Sequence, residues 1–194
     1  MNETTLERET HEEDFSWVKE FKEGNKDAFN WLVLKHKKRI FNICYRFMGA
    51  YEDANDCAQE VFIKMYHSLY KFKLEAKFTT WLYRVAINTC MNKVTSRSYK
   101  QSQRNQSLDA GVGETLGDSS FHPEQDLHRK KQQQQIQDCI RKLPEKFRAV
   151  VVLRDIDGLV YEEITQVVQQ TLGTVKSRIA RARKQLRTCL QGIL

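Results

Sequence analysis

Proline and glycine are scarce, with two and eight in 194 residues. Turn-dense all-β folds need more of both, so the composition points to helices. Cysteine is present five times, at 44, 57, 90, 139 and 189, an odd number with no close pair. That spacing argues against a zinc site or a disulfide framework and suits a reducing cytosol. No apolar run approaches the roughly 18 residues that cross a bilayer. The acidic start MNETTLERETHEED has none of the features of a signal peptide. The histidines (His11, His36, His67, His122, His128) are scattered, and the acidic residues are spread from the N-terminal end through the central stretches, with none in residues 164–194. A metal-dependent nuclease would need them clustered. The expectation is a soluble, cytoplasmic, non-enzymatic protein that is not inserted in a membrane, with no cofactor, no metal and no small-molecule substrate. A hydrophobic fraction of 40% is enough for a core.

Positive charge is what the chain has in excess. It carries 32 Lys+Arg against 25 Asp+Glu, for a net charge of +7. The distribution is uneven: residues 1–30 hold 4 basic and 9 acidic side chains. Residues 31–50, 76–108 and 164–194 hold 5, 6 and 6 basic side chains and no acidic one. Acid-free basic blocks separated by neutral segments suit several surfaces that face one polyanion, most simply nucleic acid.

Apolar residues recur at helical spacing from about residue 14 to 94 and again from about 127 to the end. Phe29, Leu32, Val33, His36, Ile40, Ile43, Cys44 and Phe47 mark one helix, which Gly49 is placed to end. Ala54, Cys57, Ala58, Val61, Met65 and Leu69 mark a second, and TTWLYRVAINTCMNKV a third. The stretch TSRSYKQSQRNQSLDAGVGETLGDSSFHPEQ loses this period and is rich in Ser, Gln, Gly and Asn. About 30 such residues are too many for a loop inside a compact domain and read as a linker. The expected fold is therefore all-α: a disordered acidic tail over 1–14, a helical domain over 15–94, a flexible linker over 95–126 and a second helical domain over 127–194.

In the second domain, YEEITQVV is a short amphipathic helix, QQTLG a turn, and TVKSRIARARKQLRTCL a longer helix that Thr174 can cap. Val175, Ile179, Ala182 and Leu186 form its inward stripe; Ser177, Arg181 and Lys184 lie opposite, bordered by Lys176 and Ala180. A short helix, a tight turn and a basic second helix match the helix-turn-helix that lays its second helix in the DNA major groove. In the first domain, Trp81, Arg84, Asn88 and Asn92 share one helix face, with Lys93 and Arg97 nearby. The preceding KFKLEAKF sets Phe72 and Phe78 in a basic loop. Amides beside aromatics that can stack unpaired bases suit single-stranded or melted DNA. Asp56, Gln59, Glu60 and Lys64 make a polar ridge on the helix before it, either solvated or a docking face for a protein. Cys57 and Cys90 fall on inward stripes, which favours inert packing.

Five collinear segments, DAFNWLV, EDANDCAQEVFIKMY, KFTTWLYRVAINTCMN, LPEKFRAVVVLRDIDGLVYEEI and GTVKSRIARARKQL, carry a resemblance over about residues 15 to 190. The chain resembles the extracytoplasmic-function (ECF) sigma factors of the sigma-seventy family, initiation subunits of bacterial RNA polymerase. The resemblance implies that Asp56, Gln59, Glu60, Ile63 and Lys64 grip the β′ clamp of core polymerase. It assigns Phe72, Lys73, Phe78, Trp81, Arg84, Asn88, Asn92, Lys93 and Arg97 to capture and melting of the minus-ten promoter element. It assigns Arg154, Thr174, Lys176, Ser177, Arg178, Arg181 and Lys184 to the minus-thirty-five element, with the β flap as a further polymerase contact. It also implies an anti-sigma partner and a stress or envelope-signal regulon. Four positions depart from the family pattern: Thr165 stands for a usual Ala, Gln169 for Gly, Thr171 for Pro, and Ala180 for a larger contact residue. The competing expectation is a stand-alone helix-turn-helix regulator of duplex operators, which leaves the Trp81 face and the α-helical ridge at 56–64 without a role.

Overall fold

The computed structural model describes the backbone of residues 3–96 and 123–191, and the side chains of 12–96 and 131–191. Eight α-helices follow in order among the described residues, with no strand: α1 (Glu3–Lys22), α2 (Asp27–Met48), α3 (Tyr51–Ser68), α4 (Phe78–Thr95), α5 (Pro123–Lys142), α6 (Glu145–Val151), α7 (Tyr161–Val168) and α8 (Leu172–Gln191). A 3-10 turn (Leu69–Lys71) follows α3, and a π-helical turn (Val152–Ile156) continues α6. Most of the linker expected over 95–126 lies outside the described residues.

The first four helices form a bundle because each has an apolar stripe three to four residues apart. Leu32, Ile40, Ile43 and Phe47 of α2, Ala54, Val61 and Met65 of α3, and Leu82, Ala86 and Ile87 of α4 are fully buried together. Gly49 ends α2 as expected: its φ is 83° and its N–H donates to the Tyr45 carbonyl at 2.8 Å. A Cβ there would also stand 3.0 Å from Arg141 Cδ.

Two expectations are corrected. The acidic start is helical from Glu3 onward rather than a disordered tail. It is anchored where it meets the bundle, by Val18 and Phe21 in the core and by Asp14, whose buried carboxylate takes Lys35 Nζ and His36 Nε2, each at 3.0 Å. A carboxylate loses little by burial when two donors replace its water. The second correction concerns cysteine. Cys139 of α5 and Cys189 of α8 form a disulfide with Cα atoms 5.9 Å apart. Fifty residues separate them in sequence, and only the packing of α5 against α8 brings them together.

The two halves are docked. Val150, Leu153, Leu159, Ile164 and Val167 belong to the same hydrophobic cluster as the first bundle. Polar groups of the second half also donate to carbonyls in the last turn of α2, where the helix supplies few partners of its own. Gln137 Nε2 donates to the Tyr45 and Arg46 carbonyls at 3.1 and 3.0 Å, and Arg148 Nη1 to that of Phe47 at 2.5 Å. Lys77 pairs with Glu163 at 2.9 Å and Arg39 with Asp157 at 3.6 Å.

Candidate nucleic-acid interface

Helix α3 has two faces by construction. Its stripe of Ala54, Cys57, Ala58, Val61 and Met65 points into the bundle. On the other side Asp56, Gln59 and Ile63 are exposed, with Glu60 and Lys64 half-buried beside them. Glu60 and Lys64 pair at 2.6 Å, and Lys64 also donates to Thr89 Oγ1 at 3.3 Å. The ridge is thus ordered by its own charges and contacts α4. Ile63 also lines an apolar shelf with Phe29, Phe62, Tyr66 and His67. Tyr66 was not among the sequence candidates, although it lies one turn beyond Ile63; an exposed isoleucine and tyrosine at that spacing are the signal.

Helix α4 keeps its expected division. Leu82, Tyr83, Ala86, Ile87 and Cys90 are buried, while Asn88 and Asn92 are exposed and Trp81, Arg84 and Lys93 half-buried. Arg97 lies outside the described residues. The aromatic loop differs from expectation. Phe72 and Phe78 are buried, 4% and 0% exposed, and pack on each other and on Trp81 with centroids 5.0 to 5.8 Å apart. They cannot stack on bases; they support the indole from beneath. Phe15 of α1 stands 6.4 Å from Phe72, so the N-terminal helix closes the space that the sequence left open. What the loop exposes is Lys71, Lys73, Leu74, Glu75, Ala76 and Lys77.

The helix-turn-helix is α7, the turn and α8. Ile164 and Val167 of α7 share one buried cluster with Val175 and Ile179 of α8, while Ala182 of α8 is buried against Leu143 and Val151. Lys176, Ser177, Arg181 and Lys184 are exposed on the opposite side of α8, and Thr174 and Arg178 are half-buried. No ion pair engages Lys176, Arg181 or Lys184 among the described residues. Arg178 donates to Gln170 Oε1 at 3.2 Å, inside the turn. The helix starts at Leu172, so its N-cap is Thr171 rather than Thr174: Thr171 Oγ1 accepts from the Thr174 N–H at 3.3 Å. Gln169 takes the left-handed conformation the turn requires, with φ 52°. Thr165 is half-buried and folds its hydroxyl onto the Glu162 carbonyl at 2.6 Å. Arg154, in the π-helical turn, donates to the Leu159 carbonyl at 2.8 Å and lies over the Tyr161 ring at 4.9 Å. It therefore fixes the entry to α7 with part of its guanidinium.

Burial raises the pKa of Asp157, a rise that Arg39 partly offsets. Burial likewise raises that of Tyr83, whose hydroxyl lies beside Asp157. Both groups sit where the halves meet, away from the exposed face of α8.

Three helical surfaces stand apart on the molecule: a polar ridge on α3, a half-buried indole with exposed amides on α4, and a basic face on α8 after a tight turn. Comparison with known proteins gives the class. Sigma-70 region 2 matches residues 32–99 and Sigma-70, region 4 matches residues 133–186. The RNA polymerase sigma-H factor of Pseudomonas aeruginosa is 38% identical over 95% of this chain and 97% of its own length. The ECF RNA polymerase sigma factor SigW of Bacillus subtilis is 36% identical over 91% and 96%. The chain belongs to the ECF sigma factors of the sigma-70 family. It is a non-enzymatic subunit for transcription initiation by RNA polymerase. Two solved structures share its fold. CnrH in complex with the cytosolic domain of CnrY has a TM-score of 0.65 at 24% identity, covering 93% of this chain and 98% of that one. The sigma factor RpoE of Bartonella quintana, solved with the anti-sigma factor NepR, has a TM-score of 0.57 at 21% identity, covering 84% and 96%.

Proposed function

We propose that the outer face of α3 docks on the β′ clamp of core polymerase through Asp56, Gln59, Glu60, Ile63 and Lys64. The α4 face, with Trp81, Arg84, Asn88, Asn92 and Lys93, captures the minus-ten element as it opens. The exposed side of α8 reads the minus-thirty-five element in the major groove, and the second domain meets the β flap. The observation that carries this reading is the set Lys176, Ser177, Arg181 and Lys184, exposed directly opposite the buried stripe that seats α8 on α6 and α7. Unpaired Lys and Arg on such a face donate to phosphates and to guanine O6 and N7. Leu74 and Lys73 replace Phe72 and Phe78 as the loop's contacts, and the two phenylalanines act by holding Trp81 in place.

An anti-sigma factor holds this chain inactive in the cytoplasm until a stress or envelope signal releases it. The solved RpoE complex with NepR and the docked halves of this chain support that reading. A stand-alone regulator would leave the α3 ridge and its shelf idle.

Footprinting of the holoenzyme on promoter DNA tests the division of labour. Lys176→Ala with Arg181→Ala is expected to weaken minus-thirty-five protection by about 30-fold or more, at roughly 1–3 kcal/mol for each of the two base contacts. Trp81→Ala with Asn88→Ala is expected to keep that protection and lose thymine reactivity of the melted minus-ten region. Duplex binding by the isolated chain as tight as that of the holoenzyme, with both variants alike, contradicts the proposal.

A further inference from the structure

Cys44 of α2, Cys57 of α3 and Cys90 of α4 converge at the centre of the first bundle. All three are fully buried. The sulfurs of Cys57 and Cys90 are 3.6 Å apart, those of Cys90 and Cys44 3.7 Å, and all three lie within 4.8 Å of one another. A buried cysteine alone is a small apolar filler. Three from three helices, aimed at one point, are something else. Around a metal with bonds of about 2.3 Å, three thiolate sulfurs in a trigonal plane stand about 4.0 Å apart. Two of the trio's three pairs already have that spacing to within a few tenths of an ångström.

We propose that Cys44, Cys57 and Cys90 form a three-thiolate site for a soft monovalent cation, Cu(I). The choice of ion follows from the donor set. No histidine or carboxylate among the described residues joins the group as a fourth ligand. Structural zinc is almost always held by four protein ligands, whereas thiolates select soft ions such as Cu(I). On binding, the three S–H groups release their protons to solvent, three S–Cu bonds form, and no electron is transferred. The ammonium of Lys93, one turn beyond Cys90, acts electrostatically on both Cys44 and Cys57 and offsets part of the resulting negative charge. The ion would clamp the inner sides of α3 and α4, whose outer sides carry the polymerase ridge and the minus-ten face. Copper occupancy thereby fixes the register of both surfaces.

The test uses the full chain carrying Cys139→Ser and Cys189→Ser, so that the remote pair contributes no ligand. It is titrated anaerobically with Cu(I) against a chromophoric copper chelator. One equivalent is expected to be retained, with a near-ultraviolet sulfur-to-copper band and X-ray absorption showing three sulfur neighbours. Cys57→Ala and Cys90→Ala in that background are expected to lose affinity by about 100-fold or more, at or above the upper end for loss of a supporting group, with helical circular dichroism unchanged. If an alanine variant fails to fold, the sulfur count in the parent decides. Failure to retain copper, fewer than three sulfur neighbours, or the same retention after all three are replaced overturns the site. Zn(II) held at the trio more tightly than Cu(I) overturns the ion.

Discussion

Gln169 holds φ at 52°, the one positive value at a non-glycine among the described residues. Left-handed backbone costs an L-residue roughly 1–2 kcal/mol, and glycine gives back part of that gain as chain entropy. Gln169→Gly is therefore expected to raise unfolding stability by about 0.5–1 kcal/mol in denaturant titration. An unchanged or lower midpoint contradicts the strain. Two residues on, Thr171→Ala removes the N-cap of α8 and is expected to cost about 1 kcal/mol. Thr174→Ala, which removes a hydroxyl that pairs with the Thr171 hydroxyl at 3.0 Å but caps no backbone N–H, should cost less in the same assay. The strained position was legible only through the family resemblance, whose pattern has Gly where this chain has Gln169. The cap was not, because Leu-Gly at the start of a helix is a poor signal and Thr174 offered an equally plausible hydroxyl. Phe72 and Phe78 misled for a different reason. A phenylalanine in a lysine-rich loop looks exposed until a remote helix, here α1, covers it.

Helical period made α2, α3, α4, α7 and α8 legible, since each has one apolar stripe and one partner surface. Helix α1 was hidden by its composition. Nine acidic residues in the first thirty outweigh the late anchors Val18 and Phe21, and nothing local reveals that Asp14 will meet Lys35 and His36. The Cys139–Cys189 bond was hidden by distance along the chain. Closing a loop of that length removes about 4 kcal/mol of unfolded-state entropy on the chain-entropy account. Reduction is expected to lower the thermal midpoint of the second domain while leaving the first bundle's near-ultraviolet signal unchanged. A reduced chain that melts where the oxidised one does shows that the bond is absent in solution. Cys44, Cys57 and Cys90 were legible one at a time as inward positions, and only the crossing of three helices made them a cluster.

At the scale of the molecule, two helical halves and a polar stretch between them were readable from the loss of period. Their docking was not, because it depends on Gln137 and Arg148, polar side chains that reach the α2 carbonyls, and on Asp157 buried beside Arg39 and Tyr83. Burial raises the Asp157 pKa in the closed arrangement. The sign follows: its contribution to closure is full below the ordinary carboxylate pKa and is lost as pH rises through the raised one. Solution scattering is expected to show opening over that interval, and Asp157→Asn to remove the dependence. A scattering profile that does not change with pH contradicts it. The proposed function also requires opening, since on that reading α4 and α8 reach separate DNA elements while α3 holds the polymerase.

The most direct measurement is run-off transcription from a promoter library by core polymerase, with this chain, without it, and with Gln59→Ala and Glu60→Ala combined. The account predicts initiation at a selected set of promoters only when the chain is present. It predicts loss of at least about 30-fold in the double variant, as for removal of an interface hot spot of 2 kcal/mol or more. Equal transcription by the variant, or none by the parent while the chain alone binds duplex DNA tightly, contradicts it.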